Sequence, residues 1–127
     1  MTNRVDPEVF GDLRAIGDVA AETSYSAEGE GGEDVTNVLV IDIGQPNIKK
    51  SLAKARSTLE GAGWHVVGQR PEWVQLESAN WETVRLSLTS LAKYDFDGNP
   101  DQHIQDLLKA AQSKIEAFVV VEAYPIG

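Results

Sequence analysis

The chain contains no cysteine and a single methionine among its 127 residues. Without cysteine, a disulfide scaffold, a thiol nucleophile and a cysteine zinc site are all excluded. Long apolar runs are missing as well, because the longest, Val38 to Ile41 and Ala117 to Val121, fall far short of the ~20 residues that a membrane-spanning helix needs. The first residues lead into no apolar stretch of the signal-peptide type. We therefore expect a cytoplasmic protein that does not associate with membranes.

Positive charge is scarce, since 11 Lys and Arg residues stand against 20 Asp and Glu residues for a net charge of −9. Phosphate contacts depend on Lys and Arg, so this balance argues against a nucleic-acid partner. Residues 1–34 hold nine acids and two bases, residues 35–94 five and seven, and residues 95–127 six and two. We therefore expect a basic protein partner and no cofactor. Inhibitors and toxin-neutralising immunity proteins have this general size and charge, although no shared motif links the chain to them.

The first part of the chain predicts a helix followed by a linker. Asp6 and Pro7 are typical of a helix start, and apolar residues then recur at helical spacing over residues 7–22. Residues 23–34 are rich in glycine and acids and lack apolar periodicity, so we predict a flexible acidic connector there. Residues 35–127 are predicted to form the core of a single domain.

Within that core, the run from Val38 to Ile43 is typical of a central strand buried on both faces. Asn47 is predicted to cap a second helix that ends near Gly61. Residues 64–78 fit either one bulged strand or a hairpin turning at Pro71, and residues 83–89 form a further strand. A third helix is predicted after Asn99, and Phe118 to Tyr124 form the last strand.

The element order α-β-α-β-β-α-β, with one possible extra strand, predicts an α+β fold of the ferredoxin-like, split β-α-β type. Right-handed crossovers would place the second and third helices on the same face of a mainly antiparallel sheet. The other face then carries an apolar patch that something must cover. The candidates are the N-terminal helix, a second copy in a homodimer, and a ligand or partner. The patch consists of Val38, Val40, Phe118 and Val120.

Side-chain alternation places the chemically interesting residues on that same face. Trp73 is the strongest binding candidate, and its alternative is packing against Arg85 or the N-terminal helix. Asp42 and Glu122 lie on strands predicted to be neighbours, which makes them weak acid-base candidates together with Tyr124. Their alternative is a structural salt bridge or hydrogen bond to Arg85 or Tyr124. The predicted binding set is Trp73, Gln75, Arg85, Asp42, Glu122 and Tyr124.

The segment from Asp95 to Asp106 partly resembles a calcium-binding EF-hand loop. Pro100 stands where such loops need glycine, and the closing glutamate is replaced by Asp106, so a tight turn followed by a helix cap is preferred. The weak metal candidates are Asp95, Asp97, Asn99, Asp101 and Asp106.

A basic cluster occupies the second helix, at Lys49, Lys50, Lys54 and Arg56. No glycine-rich phosphate cradle precedes it, so the preferred interpretation is a solvated helix face.

Two functions follow from these patterns. The first is a non-enzymatic interaction domain that binds a basic protein, with the acidic ends giving attraction and the second sheet face giving specificity. The alternative is a small-molecule site or a modest enzyme on that face, built from Asp42, Glu122, Tyr124 and Arg85.

Overall fold

The computed structural model describes residues 2–29, 31–96 and 102–126, and these ranges contain seven strands and three α-helices. None of the helices in these ranges is long and apolar enough to cross a membrane. In chain order the elements are β1 (Thr2–Asn3), α1 (Val9–Arg14), β2 (Asp18–Gly29), β3 (Gly32–Asp42), α2 (Ile48–Gly61), β4 (Trp64–Arg70), β5 (Trp73–Ser78), β6 (Val84–Ser90), α3 (Gln102–Ala110), a 3-10 helix (Gln112–Ala117) and β7 (Phe118–Pro125).

All seven strands belong to one sheet of order β2-β3-β7-β6-β5-β4, and the short β1 pairs in parallel with the start of β3. The other neighbouring pairs are antiparallel. Since β3 and β4 run in the same direction with three strands between them, α2 crosses the sheet to connect them. The α+β class, the mainly antiparallel sheet and the pairing of β3 with β7 agree with the prediction. The ferredoxin-like strand order is not confirmed.

The first face of the sheet, toward which Leu39 and Ile41 point, carries the larger part of the core. Both α1 and α2 pack here, and each fully buried aliphatic side chain contributes about 1.5–3 kcal/mol to stability. The indole of Trp64 is buried in the same cluster and donates to Asp12 Oδ2 over 2.9 Å, which ties β4 to α1. The side chains that the two helices and the turn after α1 contribute to this cluster are Val9, Leu13, Ile16, Leu52, Ala55 and Leu59.

The second face, toward which Val38 and Val40 point, is covered over one half by α3 and the residues around it. β6 and β7 are antiparallel neighbours, so the connection through α3 is not a parallel crossover and the handedness rule does not place it. The prediction that both later helices share one face is therefore wrong, and so is the prediction that the N-terminal helix covers this face. The sheet-to-sheet homodimer was a candidate because the apolar patch had to be covered. Since α3 covers this patch, no observation now favours such a dimer.

The two predictions for the first 34 residues are also wrong in their bounds. The helix occupies Val9–Arg14 instead of residues 7–22, and the chain enters β2 at Asp18. The described residues of the predicted connector, 23–29 and 31–34, instead belong to the turn end of a β-hairpin formed by β2 and β3. The sequence of this segment lacks the apolar alternation of a strand because much of β2 is exposed. Pairing with β3, rather than burial of its own side chains, stabilises β2 as a strand.

Several local predictions are confirmed. The Asn47 side chain accepts a hydrogen bond from the Lys50 amide over 2.9 Å, and α2 ends at Gly61. Residues 64–78 form a hairpin, β4 and β5, that also contains a register shift between Val66 and Gly68. Both alternatives for this segment thus hold in part, with Pro71 in the turn.

Gly17 lies where the chain passes from α1 to β2 against the backbone of β3. A Cβ atom at this position would overlap the carbonyl oxygen of Asp42 and would lie 3.0 Å from Ile41 Cγ2. Only a residue without a side chain allows this approach.

We expect Gly17→Ala to destabilise the protein by about 1–3 kcal/mol, because backbone atoms of β3 must shift to admit the methyl group. Gly11→Ala is the matched control, since a Cβ at Gly11 meets nothing within 4 Å and α1 gains a better helix former. The control should stabilise by about 0.5–1 kcal/mol. Urea unfolding of both variants measures the difference, and equal effects would contradict the close approach at Gly17.

Candidate functional site

The half of the second face that α3 leaves uncovered is polar and aromatic, and we call it the open face. Register places Glu122 opposite Ser87 and Tyr124 opposite Arg85. On the next strand, β5 pairs with β6 so that its own polar residues share this side. Five of the six predicted binding residues therefore lie together here, as alternation predicted. The open face consists of Tyr25, Thr36, Trp73, Gln75, Glu77, Arg85, Ser87, Glu122 and Tyr124.

Hydrogen bonds across the strands hold the polar side chains of the open face in place. Gln75 Nε2 donates to the Tyr124 hydroxyl over 2.7 Å. Arg85 Nε donates to Glu77 Oε2 over 2.7 Å, and Arg85 Nη2 binds the same oxygen. These contacts fix each rotamer before any ligand arrives, which reduces the entropy cost of binding.

Trp73 lies flat over the neighbouring strand. Its ring sits so close to Gly68 that a Cβ there would be 3.3 Å from the ring atoms Cη2 and Cζ3. The Arg70 guanidinium is 5.7 Å from the ring centroid, and Trp73 Nε1 donates to Ser87 Oγ over 2.9 Å. The predicted alternative, in which Trp73 packs against Arg85 or the N-terminal helix, is therefore wrong. One edge of the half-buried ring remains accessible from the open face.

Glu122 accepts hydrogen bonds from tyrosines that sequence reasoning missed. Tyr25, which belongs to the segment predicted as a connector, donates to Glu122 Oε2 over 2.7 Å. Partial burial of the hydroxyl and then this hydrogen bond raise the pKa of Tyr25 to about 12. Burial, followed by the charge of Glu122, also raises the pKa of Tyr94 well above its usual range. Both phenols therefore stay protonated at neutral pH and act as hydrogen-bond donors.

The open face contains a shallow depression of about 250 Å³ around Glu122. Its walls offer a carboxylate, an amide, hydroxyl groups and the edge of an indole. Such groups recognise cationic or hydroxylated ligands by hydrogen bonding and by contact with a ring. The lining residues are Tyr25, Thr36, Trp73, Gln75, Ser87, Glu122 and Tyr124.

Asp42 does not join this group. Asp42 stands opposite Phe118, whereas Glu122 stands opposite Val38, which is four residues before Asp42 in β3. At about 3.3 Å per residue the two carboxylates are attached roughly 13 Å apart along the strand direction. Asp42 Oδ1 accepts from the Gly44 amide over 2.9 Å, which closes the turn before α2. The predicted proximity of Asp42 and Glu122 is not found.

Three of the five predicted calcium ligands, Asp97, Asn99 and Asp101, lie outside the described residues. Asp106 is on α3 and accepts from Gln102 Nε2 over 2.8 Å. No group of three or more metal-ligating carboxylates or histidines occurs in the parts of the chain that are described.

No protein-family model matches the chain, and the searches of curated proteins and of solved structures returned no match. The site is therefore interpreted from its own geometry.

We expect the Tyr25 phenol to titrate near pH 12, which an absorbance titration of wild type against Tyr25→Phe measures by difference. The folded-state pKa lies above the unfolded value of about 10, so the folded protein retains this proton between about pH 10 and pH 12. The free energy of unfolding should fall across that window as pH rises, and less steeply in Tyr25→Phe. Glu122→Gln should lower the pKa of Tyr25 partway toward 10. A Tyr25 that titrates at 10 in the wild type would contradict the contact.

Proposed function

We propose that this protein is a non-enzymatic interaction domain that binds a basic, extended segment of a partner protein along the free edge of β2. The observation that carries the proposal is a pair of like charges on the hairpin. Glu28 and Glu33 stand directly opposite each other on β2 and β3. Like charges in this arrangement destabilise a sheet, and a cationic side chain from a strand added at the edge of β2 offsets the repulsion.

The part of the hairpin that carries this pair extends beyond the end of β7. β7 pairs with β3 only from Asn37 to Asp42, so residues 32–36 of β3 lie past it and pair with β2 and β1. We call residues 25–29 and 32–36 the acidic arm. Glu28 and Glu33 are exposed, and neither has a Lys or Arg within ion-pairing distance in the described ranges. A depression of about 320 Å³ lies against them and Thr2.

The outer edge of β2 supports an extended binding mode. β2 is 12 residues long and pairs only with β3 among the described strands. A partner segment that adds here as another strand gains main-chain hydrogen bonds, while its alternate side chains reach the two faces in turn. On one side they meet Glu28 and Glu33, and on the other they meet Asp34 and the open face beyond Tyr25.

A second candidate is a small hydroxylated or cationic ligand in the depression around Glu122. It is favoured by the preset hydrogen bonds of Gln75 and Tyr124 and by the accessible edge of Trp73. Titration with a ligand of this class would perturb Trp73 and Tyr25, which line the depression, and leave the amides of Glu28 and Gly29 unchanged, whereas a bound strand would perturb the amides at Glu28 and Gly29 as well.

The edge proposal is tested with two short peptides that alternate valine with either lysine or glutamate. We expect the lysine peptide alone to bind and to shift the amide NMR signals of β2. Because exposed charges carry the attraction, affinity should fall steeply as ionic strength rises from about 0.01 to about 0.1 M, where the Debye length shortens from about 30 to about 10 Å. Binding of both peptides, or no dependence on salt, would count against a charge-selected edge.

We expect Glu28→Gln to have opposite effects on stability and on binding. Removing one of two facing carboxylates should stabilise the fold by about 0.2–1 kcal/mol. Affinity for the lysine peptide should weaken, by up to roughly fivefold. Urea unfolding and calorimetry measure the two quantities. Glu116→Gln, an equal change of charge at an exposed residue in the 3-10 helix, is the control and should alter neither. A Glu28→Gln variant that binds as well as wild type would overturn the assignment of the arm.

A further inference from the structure

A second concave surface lies on the first face, on the opposite side of the sheet from the open face. It is a groove of about 660 Å³ between α2 and the β4–β5 hairpin. Its floor is apolar, since Leu52 and Val74 are 5% and 4% exposed and Ile48 packs against the same core. Clefts of this volume and character are typical of sites for small molecules.

The rim of the groove is cationic. Lys49 and Arg56 stand two helical turns apart on α2, and Arg70, whose guanidinium lies over the Trp73 ring, lines the groove from the end of β4. Glu60 and Glu72 also line the groove, and Glu60 accepts from Arg56 Nε over 3.3 Å. One net positive charge is left at the rim.

Arg56 is also held across the groove, because its Nη1 donates to Gln69 Oε1 of β4 over 3.1 Å. This contact orders the guanidinium without neutralising its charge. Lys49 is exposed and has no carboxylate within ion-pairing distance in the described ranges. In a chain of net charge −9, three of the 11 Lys and Arg residues meet around this one apolar floor.

We propose that this groove binds a small amphipathic organic anion, with an apolar chain or ring on the floor formed by Leu52 and Val74 and an acidic headgroup between Lys49 and Arg56. Charge complementarity selects the anion, because the remainder of this acidic surface repels it and the rim attracts it. The apolar floor selects a ligand with a hydrocarbon body over inorganic phosphate. The basic cluster that the sequence predicted as a solvated helix face is thus divided, with Lys49 and Arg56 at the groove and Lys54 Nζ bound to the Ile43 carbonyl over 3.3 Å. This inference is independent of the proposed function.

The test compares three probes that share a ten-carbon chain: decanoate, decanol and decyltrimethylammonium, each below its micelle concentration. We expect decanoate to bind saturably and to shift the amide signals of α2, β4 and β5, and the neutral and cationic probes to bind at least several-fold more weakly. Equal binding of the three probes, no saturable binding of decanoate, or shifts confined to other elements would each overturn the proposal.

Matched variants locate the headgroup. Lys49→Gln should weaken decanoate binding by roughly threefold to tenfold, while Lys50→Gln, the neighbouring exposed lysine that does not line the groove, should leave it unchanged. Ala53→Leu adds bulk at an exposed groove residue and should reduce the affinity for decanoate by obstruction. Circular dichroism and urea unfolding confirm that each variant is folded. Equal losses in Lys49→Gln and Lys50→Gln would show a general charge effect and would overturn the site.

Discussion

The fold depends on two paired strands, β3 and β7, that are apolar on both faces. Leu39, Ile41, Val119 and Val121 face one side, and the residues between them face the other. Because both faces of these two strands are apolar, exposing either face to water would cost free energy, so helices must pack on both sides of the sheet. The chain meets this constraint with α1 and α2 on the first face and α3 on the second.

The half-coverage of the second face follows from the same geometry. The apolar character of β7 ends at Val120 on this side, and Glu122 and Tyr124 continue the strand. The described part of α3, nine residues long, covers the apolar half. The polar half instead satisfies its own side chains through cross-strand hydrogen bonds, and no buried side-chain nitrogen or oxygen lacks a partner in the described ranges. The open face is thus an ordered surface whose donors and acceptors are already oriented.

Sequence reasoning succeeded where a local pattern determines the structure. Alternation placed Trp73, Gln75 and Glu122 on one face, and capping chemistry identified Asn47. It failed where packing against another part of the chain determines the structure. An amphipathic helix shows that one of its sides is buried, but its periodicity carries no information on which face of a sheet receives it.

The sequence predicted only part of the open face, because some of its contacts join residues that are far apart in the chain. Tyr25 was assigned to a connector because residues 23–34 are rich in glycine and acids and lack apolar periodicity, and its contact with Glu122 joins residues 97 positions apart. The position of the Trp73 ring depends on Gly68, whose alignment with Gln75 results from a register shift that the sequence indicated only as one of two alternatives, without its position. Long-range pairing therefore created the contacts that composition alone did not predict.

The repulsion between Glu28 and Glu33 has a consequence for self-recognition. A long strand with a free edge is a template on which another copy of the same chain can pair, which is a common route to aggregation. Here an antiparallel copy whose register is centred on Glu28 presents the same carboxylate and adds to the repulsion already present, and the register shift between Val19 and Ala21 interrupts the regular ladder. The acidic pair and the register shift therefore both disfavour pairing of this edge with a second copy of itself.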